Sequence, residues 1–207
     1  MKVLLLNGSP RGEKCTFVAL TEVASALEKE NIQTEIVNVD KAVTGCIGCG
    51  ACKKRGCCIK DDEVNAIGKR LDEFDAVVLG SPVYYAGPSA EIQAFCDRLF
   101  YSFGNKMRGK VGASVVSCRR GGASAAFDRL NKYFGIVGMP VASSQYWNQV
   151  HGNTPEEVVK DLEGMQTMRT LGKNIAWMLK CFNAGKKAGI ELPAVETPVR
   201  TNFIRDL

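Results

Sequence analysis

The chain has 207 residues, 45% apolar and 24% charged, with 27 Lys and Arg against 22 Asp and Glu. That balance is ordinary for a folded globular protein and excludes disordered, collagenous and disulfide-scaffold classes. The net charge of +5 is spread along the sequence, which suits small anionic ligands better than nucleic acid. No apolar run approaches the ~20 residues of a membrane-spanning helix, so no membrane partner is expected. The apolar run at Met1–Leu6 is too short for the core of a signal peptide, so a cytoplasmic location is expected.

Residues 2–6 run Val and Leu without polar alternation, the pattern of a strand buried on both faces. From Lys14 to about Glu30, Phe17, Leu20, Val23, Ala24 and Leu27 follow a helical period. Thr34 to Val39 reads as a second strand. Asp61-Asp62 opens a short helix to about Phe74, its acids suited to exposed N-terminal N–H groups. Ala76 to Leu79 is a third strand, ended by Gly80-Ser81-Pro82. A helix over 88–103 carries Ile92, Phe95, Leu99 and Phe103 on one face. Val111 to Val116 is a fourth strand, and a helix over 122–134 follows a Gly-rich turn. Val137 to Tyr146 reads as a fifth strand, and Pro140 within it predicts an edge position. Thr154-Pro155-Glu156-Glu157 starts a last helix expected to run to Cys181. Its stripe of Met, Leu, Val and Ile is a core or subunit contact.

The alternation of strand and helix predicts an α/β fold, a doubly wound five-stranded parallel sheet with helices on both faces. One domain is expected over residues 1–185, with a cysteine-rich insert at 42–60. A tail over 186–207 is expected to pack on the surface or on a partner subunit. Ligands of such sheets bind beyond the carboxyl ends of the strands, so the loops there carry the function.

The loop after the first strand reads Asn7-Gly8-Ser9-Pro10-Arg11-Gly12-Glu13-Lys14-Cys15-Thr16 and leads straight into a helix. Helix N–H groups, the Ser9 and Thr16 hydroxyls, and Arg11 with Lys14 together suit an anion. Neither the dinucleotide nor the ATP glycine pattern is present, so a monophosphate fits best. After the third strand, Gly80-Ser81-Pro82-Val83-Tyr84-Tyr85 offers backbone amides and flat rings, which a planar heterocycle needs. After the fourth, Ser117-Cys118-Arg119-Arg120-Gly121-Gly122 is a second Gly-rich turn with positive charge.

Five of the nine cysteines lie close together: Cys46, Cys49, Cys52, Cys57 and Cys58. An odd count in a reducing compartment argues against disulfides. The C-x2-C-x2-C run with a nearby fourth thiol is how compact loops hold a [4Fe–4S] cluster. Zinc is a second reading, although its structural sites usually split into distant pairs. A metal-free loop that orders a subunit interface is a third. His151 is the only histidine, so neither a Cys–His nucleophilic pair nor a multi-His metal site is expected.

Leu6-Asn7-Gly8-Ser9-Pro10-Arg11 with Thr16, Gly80-Ser81-Pro82-Val83-Tyr84-Tyr85, and Phe95-Cys96-Asp97-Arg98 together resemble the NADPH-dependent FMN reductase family. The resemblance covers about residues 1–150 and implies a flavodoxin-like fold. It implies that Ser9, Arg11, Cys15 and Thr16 hold the FMN phosphate. It also implies that Pro82, Val83, Tyr84 and Tyr85 line the isoalloxazine, flanked by Ser117, Gly121 and Gly122. Relatives commonly carry Asn or Ser where this chain has Cys15, so a backbone N–H would serve there. The cysteine loop further resembles the iron–sulfur flavoprotein branch. That likeness implies Cys46, Cys49, Cys52 and Cys58 as cluster ligands, with Cys57 the alternative fourth.

The implied function is an FMN-dependent oxidoreductase. It would pass electrons from NAD(P)H through flavin, with or without a [4Fe–4S] cluster, to a small acceptor. A quinone, an azo or nitro compound, or free flavin would serve. Chemistry of this kind belongs to the cofactor and needs no catalytic side chain. The rival reading is an electron carrier acting only between redox proteins, and a third is a redox sensor. A homodimer or homotetramer is expected, and Tyr146 with Trp147 could cover a neighbouring subunit's flavin.

Overall fold

Parallel strands must be covered on both faces, and the continuous Val/Leu runs of this chain meet that requirement. The computed structural model describes residues 1–201. Strands β1 (Lys2–Asn7), β2 (Gln33–Asn38), β3 (Ala76–Tyr84), β5 (Val111–Cys118) and β6 (Gln149–His151) form a parallel sheet in the order β2-β1-β3-β5-β6. A two-residue strand β4 (Gly87–Pro88) folds back antiparallel on the end of β3. Helices α1 (Cys15–Glu28) and α7 (Leu162–Lys187) cover one face. Helices α3 (Glu63–Lys69), α4 (Ala90–Phe103) and α5 (Ala123–Ile136) cover the other. Two short helices, α2 (Cys52–Arg55) and α6 (Pro155–Val158), sit in loops.

The core is divided by the pleat. Val3, Leu5, Ala76, Val78 and Val115 point to α1 and α7, whereas Leu4, Leu6, Val77 and Leu79 point to α4 and its neighbours. All are fully buried. Each buried Leu or Val contributes on the order of 1.5–3 kcal/mol. The doubly wound sheet is therefore as the sequence predicts. Among the described residues no helix is long and apolar enough to cross a membrane.

Two elements depart from expectation. The run Val137–Tyr146 does not form a strand. Val141 makes one isolated bridge to Gly112, and β6 at Gln149–His151 is the fifth strand. Gly112 faces Val141 while Val116 faces Gln149, so four steps along β5 are matched by eight on its neighbour. The excess bulges out, held by a 2.7 Å bond from Ser144 Oγ to Asn148 Oδ1.

The last helix is also broken. Thr154 caps α6, with its hydroxyl accepting from the Glu157 N–H at 3.3 Å. Asp161 then accepts from the N–H groups of Gly164 at 2.9 Å and His151 at 2.7 Å. That side chain offers the backbone a second start, so α7 begins afresh and is anchored to β6. Beyond α7, residues 190–201 form neither helix nor strand. Arg108 donates to the Pro193 carbonyl, and Leu192 lies against Gly109. The remainder of the predicted tail, residues 202–207, lies outside the described residues.

Candidate functional site

The carboxyl ends of β1, β3, β5 and β6 open on one cleft of about 450 Å³, within the roughly 300–1,000 Å³ usual for small-ligand sites. Its lining includes Ser9, Arg11, Cys15, Thr16, Pro82, Val83, Tyr84 and Ser117. The structure therefore brings together eight of the eleven cofactor residues named from sequence. It leaves out three. Tyr85 projects into solvent at the tip of the β3–β4 hairpin, Gly121 is exposed, and Gly122 packs beneath the hairpin rather than facing the cleft.

The loop after β1 is shaped by its own polar groups. Asn7, fully buried, donates to the Gly12 carbonyl at 3.0 Å and to Asn38 Oδ1 at 2.7 Å, and accepts from the Ser9 N–H at 3.2 Å. The Gly8 N–H bonds the Gly80 carbonyl at 2.8 Å. A side chain at Gly8 would collide with Ile92 at 2.3 Å, so only glycine lets the loop lie this close to α4. Helix α1 then starts at Cys15 with no side-chain cap and no acid in its first turn. Helix α5, which begins beside the hairpin, also lacks a side-chain cap. By contrast α3, α4, α6 and α7 are capped by Asp62, Ser89, Thr154 and Asp161. Uncapped N–H groups call for an outside acceptor, and an anion is the natural one.

Thr16 and Ser117 face each other across the cleft floor, their hydroxyl oxygens 2.8 Å apart and both buried. One hydroxyl hydrogen is committed to that pair, which leaves the other for a ligand atom. Arg11 and Lys14 line one side with Arg119. Burial pushes the Cys15 thiol above its ordinary value, only partly offset by its own N–H and by Arg11, while Glu157 and Glu156 add to the rise. Cys15 therefore enters the cleft as a neutral thiol.

The cleft also has a wall that the sequence reading missed. Gly152, Asn153, Thr154, Pro155 and Glu156, between β6 and α6, line it. Their signal was available, because Thr154-Pro155-Glu156 marks a helix start beyond a strand end. It was obscured by placing the fifth strand too early. A Cys–His contact is nonetheless present, with His151 Nδ1 3.5 Å from Cys118 Sγ. It is not an activated nucleophile. Burial raises the Cys118 thiol, which donates to the Arg120 carbonyl at 3.3 Å. Tyr146 and Trp147 are half exposed, their ring centroids 4.9 Å apart and their planes tilted by 56°.

The cysteine loop forms a second place of interest. Cys46, Cys49, Cys52 and Cys58 line one small cavity of about 20 Å³, with Arg98 and Tyr101 behind it. Cys57 does not line it and packs instead against the apolar core. Left-handed Gly48, Gly50 and Gly56 make the turns between the thiols. Among the described residues no three His, Cys, Asp or Glu groups are placed to hold a single metal ion. The donor set is nonetheless four thiols with no carboxylate, which is the chemistry of an iron–sulfur site.

Residues 1–154 match the family described as NADPH-dependent FMN reductase. The chain belongs to that family. It is similar to an iron–sulfur flavoprotein of Methanocaldococcus jannaschii, 35% identical over 87% of this chain and 98% of that protein. It is also similar to an iron–sulfur flavoprotein of Methanosarcina thermophila, 30% identical over 90% of this chain and 99% of the relative. Among solved structures it is similar to a flavodoxin, WrbA-like protein from Agrobacterium tumefaciens, with a TM-score of 0.64 and 19% identity over 87% of this chain and 98% of that one. It is similar as well to RosB, solved with bound 8-demethyl-8-formylriboflavin-5′-phosphate, with a TM-score of 0.67 and 18% identity over 99% of this chain and 94% of that one. At these identities the structural likeness concerns the fold, which is flavodoxin-like.

Proposed function

We propose that this protein is an FMN-dependent oxidoreductase that takes electrons from NAD(P)H and delivers them to a small acceptor such as a quinone, azo or nitro compound or flavin. The observation that carries the reading is the cleft where α1, uncapped and with no acid in its first turn, meets Arg11, Ser9 and the Thr16–Ser117 hydroxyl pair. These groups fit a phosphate monoester. Pro82, Val83 and Tyr84 fit a flat ring placed against the β3–β4 hairpin. The flavin, when bound, would supply the exchange between two-electron and one-electron donors and acceptors.

In this reading the α1 N–H groups and Arg11 neutralise the phosphate, with Cys15 contributing its backbone N–H. Ser9, Thr16 and Ser117 fix its orientation. The β6–α6 loop closes the far side of the cleft, where Glu156 stands among the cations. Chemistry carried by the cofactor asks no side chain to act as acid or base.

Cys46, Cys49, Cys52 and Cys58 are the residues that would hold a [4Fe–4S] cluster, which would add a one-electron store. A cubane accepts one thiolate at each iron, so its ligands surround it, whereas a zinc ion needs all four thiols at one point. The scatter of the thiols around a cavity therefore favours a cluster over zinc. We place the protein in the cytoplasm as a homodimer or homotetramer.

A visible spectrum of protein purified without oxygen tests this first. Flavin bands on a broad cluster shoulder are the expected result. A colourless protein that takes up no added FMN would overturn the reading.

The second reading is an electron carrier between redox proteins. It is favoured by the exposure of Cys46, Cys49 and Ile47 on the outer rim of the loop. NADH or NADPH oxidation with an artificial acceptor separates the two, since a carrier would turn over neither.

A further inference from the structure

Arg98 is the largest fully buried side chain among the described residues. It rises from α4 behind the cysteine loop, and all five of its N–H donors are engaged. Nη1 and Nη2 form a fork on Asp62, at 2.7 and 2.8 Å. Nη1 also reaches the Thr44 carbonyl at 3.3 Å, and Nη2 the Lys60 carbonyl at 3.1 Å. Nε points at Cys58 Sγ, 3.3 Å away.

Two features of this arrangement matter. Thr44 and Lys60 stand on either side of the thiols, so one guanidinium pins both ends of the loop. Of the five loop thiols, only Cys58 receives a charged N–H among the described bonds. Asp62 is doubly used: it caps α3 through the Val64 N–H and orients the fork. Burial works against its charge, but the Arg98 bonds prevail and hold it below its ordinary value. Asn65 completes the frame, bonding the Cys58 N–H and carbonyl at 2.9 Å each. A buried cation so fully bonded is costly to remove and rigid while present.

We propose that Arg98, clamped by Asp62, is the positioning residue of the cysteine loop: it selects Cys58 over Cys57 for the shared cavity and sets the electron affinity of what that cavity holds through its Nε–H bond to sulfur. The inference rests on the cluster reading of the loop. An N–H donated to a ligating sulfur withdraws electron density and raises the reduction potential. Cys58 is therefore the asymmetric corner of the site.

The test uses the full-length chain, reconstituted without oxygen with ferrous iron and sulfide. Wild type is compared with Arg98→Lys, Cys57→Ser and Cys58→Ser. Iron and sulfide per chain, the midpoint potential, and hydrogen exchange of amides 44–60 are measured. Cys57→Ser should load as wild type does, and Cys58→Ser should lose loading. Arg98→Lys, which keeps a charge but loses the fork and the Nε–H, should load a cluster whose midpoint lies at more negative potential. It should also exchange loop amides at least tenfold faster. If Arg98→Lys does not fold, Asp62→Asn takes its place: loosening the fork should speed loop exchange in the same direction, while loss of the counter-charge with the Nε–H kept should move the midpoint to more positive potential.

An unchanged midpoint in the loaded Arg98 or Asp62 variant overturns the proposal, as does loading that depends on Cys57 and not on Cys58. If wild type loads no iron, the cluster reading fails by itself. Exchange then decides whether Arg98 positions the loop, and unchanged exchange overturns that too.

Discussion

Gly121 and Gly122 are neighbours of the same type, yet substitution of one should be harmless and of the other severe. Gly122 has a φ of +91°, where an L-residue costs about 1–2 kcal/mol. Its added Cβ would lie 2.8 Å from Ala86 Cα and 3.0 Å from Val83 Cγ1. Ala86 is main chain in a tight turn with φ of +60°, so relief requires moving the hairpin, an overpacking cost of about 1–3 kcal/mol. Gly122→Ala should therefore lose about 2–5 kcal/mol, lowering the melting temperature by roughly 5–15 °C for a chain of this size. The hairpin carries Val83 and Tyr84 into the cleft, so FMN affinity should fall at least tenfold in the same variant. Gly121→Ala places its Cβ with nothing within 4 Å, and a surface change of that kind stays within about 0.5 kcal/mol. Circular dichroism melting and quenching of FMN fluorescence read the two effects. A Gly122→Ala protein that melts within about 2 °C of wild type, or a Gly121→Ala protein equally damaged, would refute the packing argument.

Thr16→Val and Ser117→Ala should each weaken FMN binding about tenfold, the worth of roughly one hydrogen bond to a charged group. Because the two hydroxyls bond one another, the double variant should lose less than the product of the two, which an FMN titration cycle measures. Cys15→Ser, which adds a hydroxyl donor at the start of α1, should tighten FMN several-fold; weaker binding would show that the thiol is needed as it stands. Arg70 holds the Glu35 carboxyl down to about 2 from 4.5, chiefly by a side-chain hydrogen bond, with Lys2 assisting. Depressed in the folded state, that carboxyl stabilises the fold above pH 4.5 and loses its contribution as pH falls toward 2. Glu35→Gln should flatten the acid limb of a stability-against-pH curve in that window and leave the limb above neutral pH unchanged. Tyr85, at φ of +49° with its ring in solvent, should gain about 1 kcal/mol on replacement by Asn, visible as a higher melting temperature.

Much of the site was legible because local rules make it so. The β1–α1 loop leaves a helix start without a cap, and Ser9, Arg11 and Thr16 advertise that in sequence. Which Tyr faces the cleft was not legible. Tyr84 and Tyr85 differ only in their place on a two-residue turn with both central residues left-handed, and the pairing of Val83 with Pro88 sets that turn. Cys57 and Cys58 are adjacent, and in sequence only the resemblance favours Cys58. Arg98, forty positions away, separates them by bonding one.

The strands β1, β3 and β5 and the helices between them follow from composition and period alone, because burial on both faces suits runs of small and apolar residues without charges. The fifth strand does not follow. Val137–Tyr146 has strand character, but a ladder needs matched lengths, and between its two pairings β5 offers four steps where Val141 to Gln149 supplies eight. The break before α7 was not read either: Asp161 caps Gly164 locally, and its other carboxylate oxygen is held by the His151 N–H of β6. Local chemistry decides what a segment can become. Contacts between segments far apart in the chain decide which residue of each pair faces the cleft.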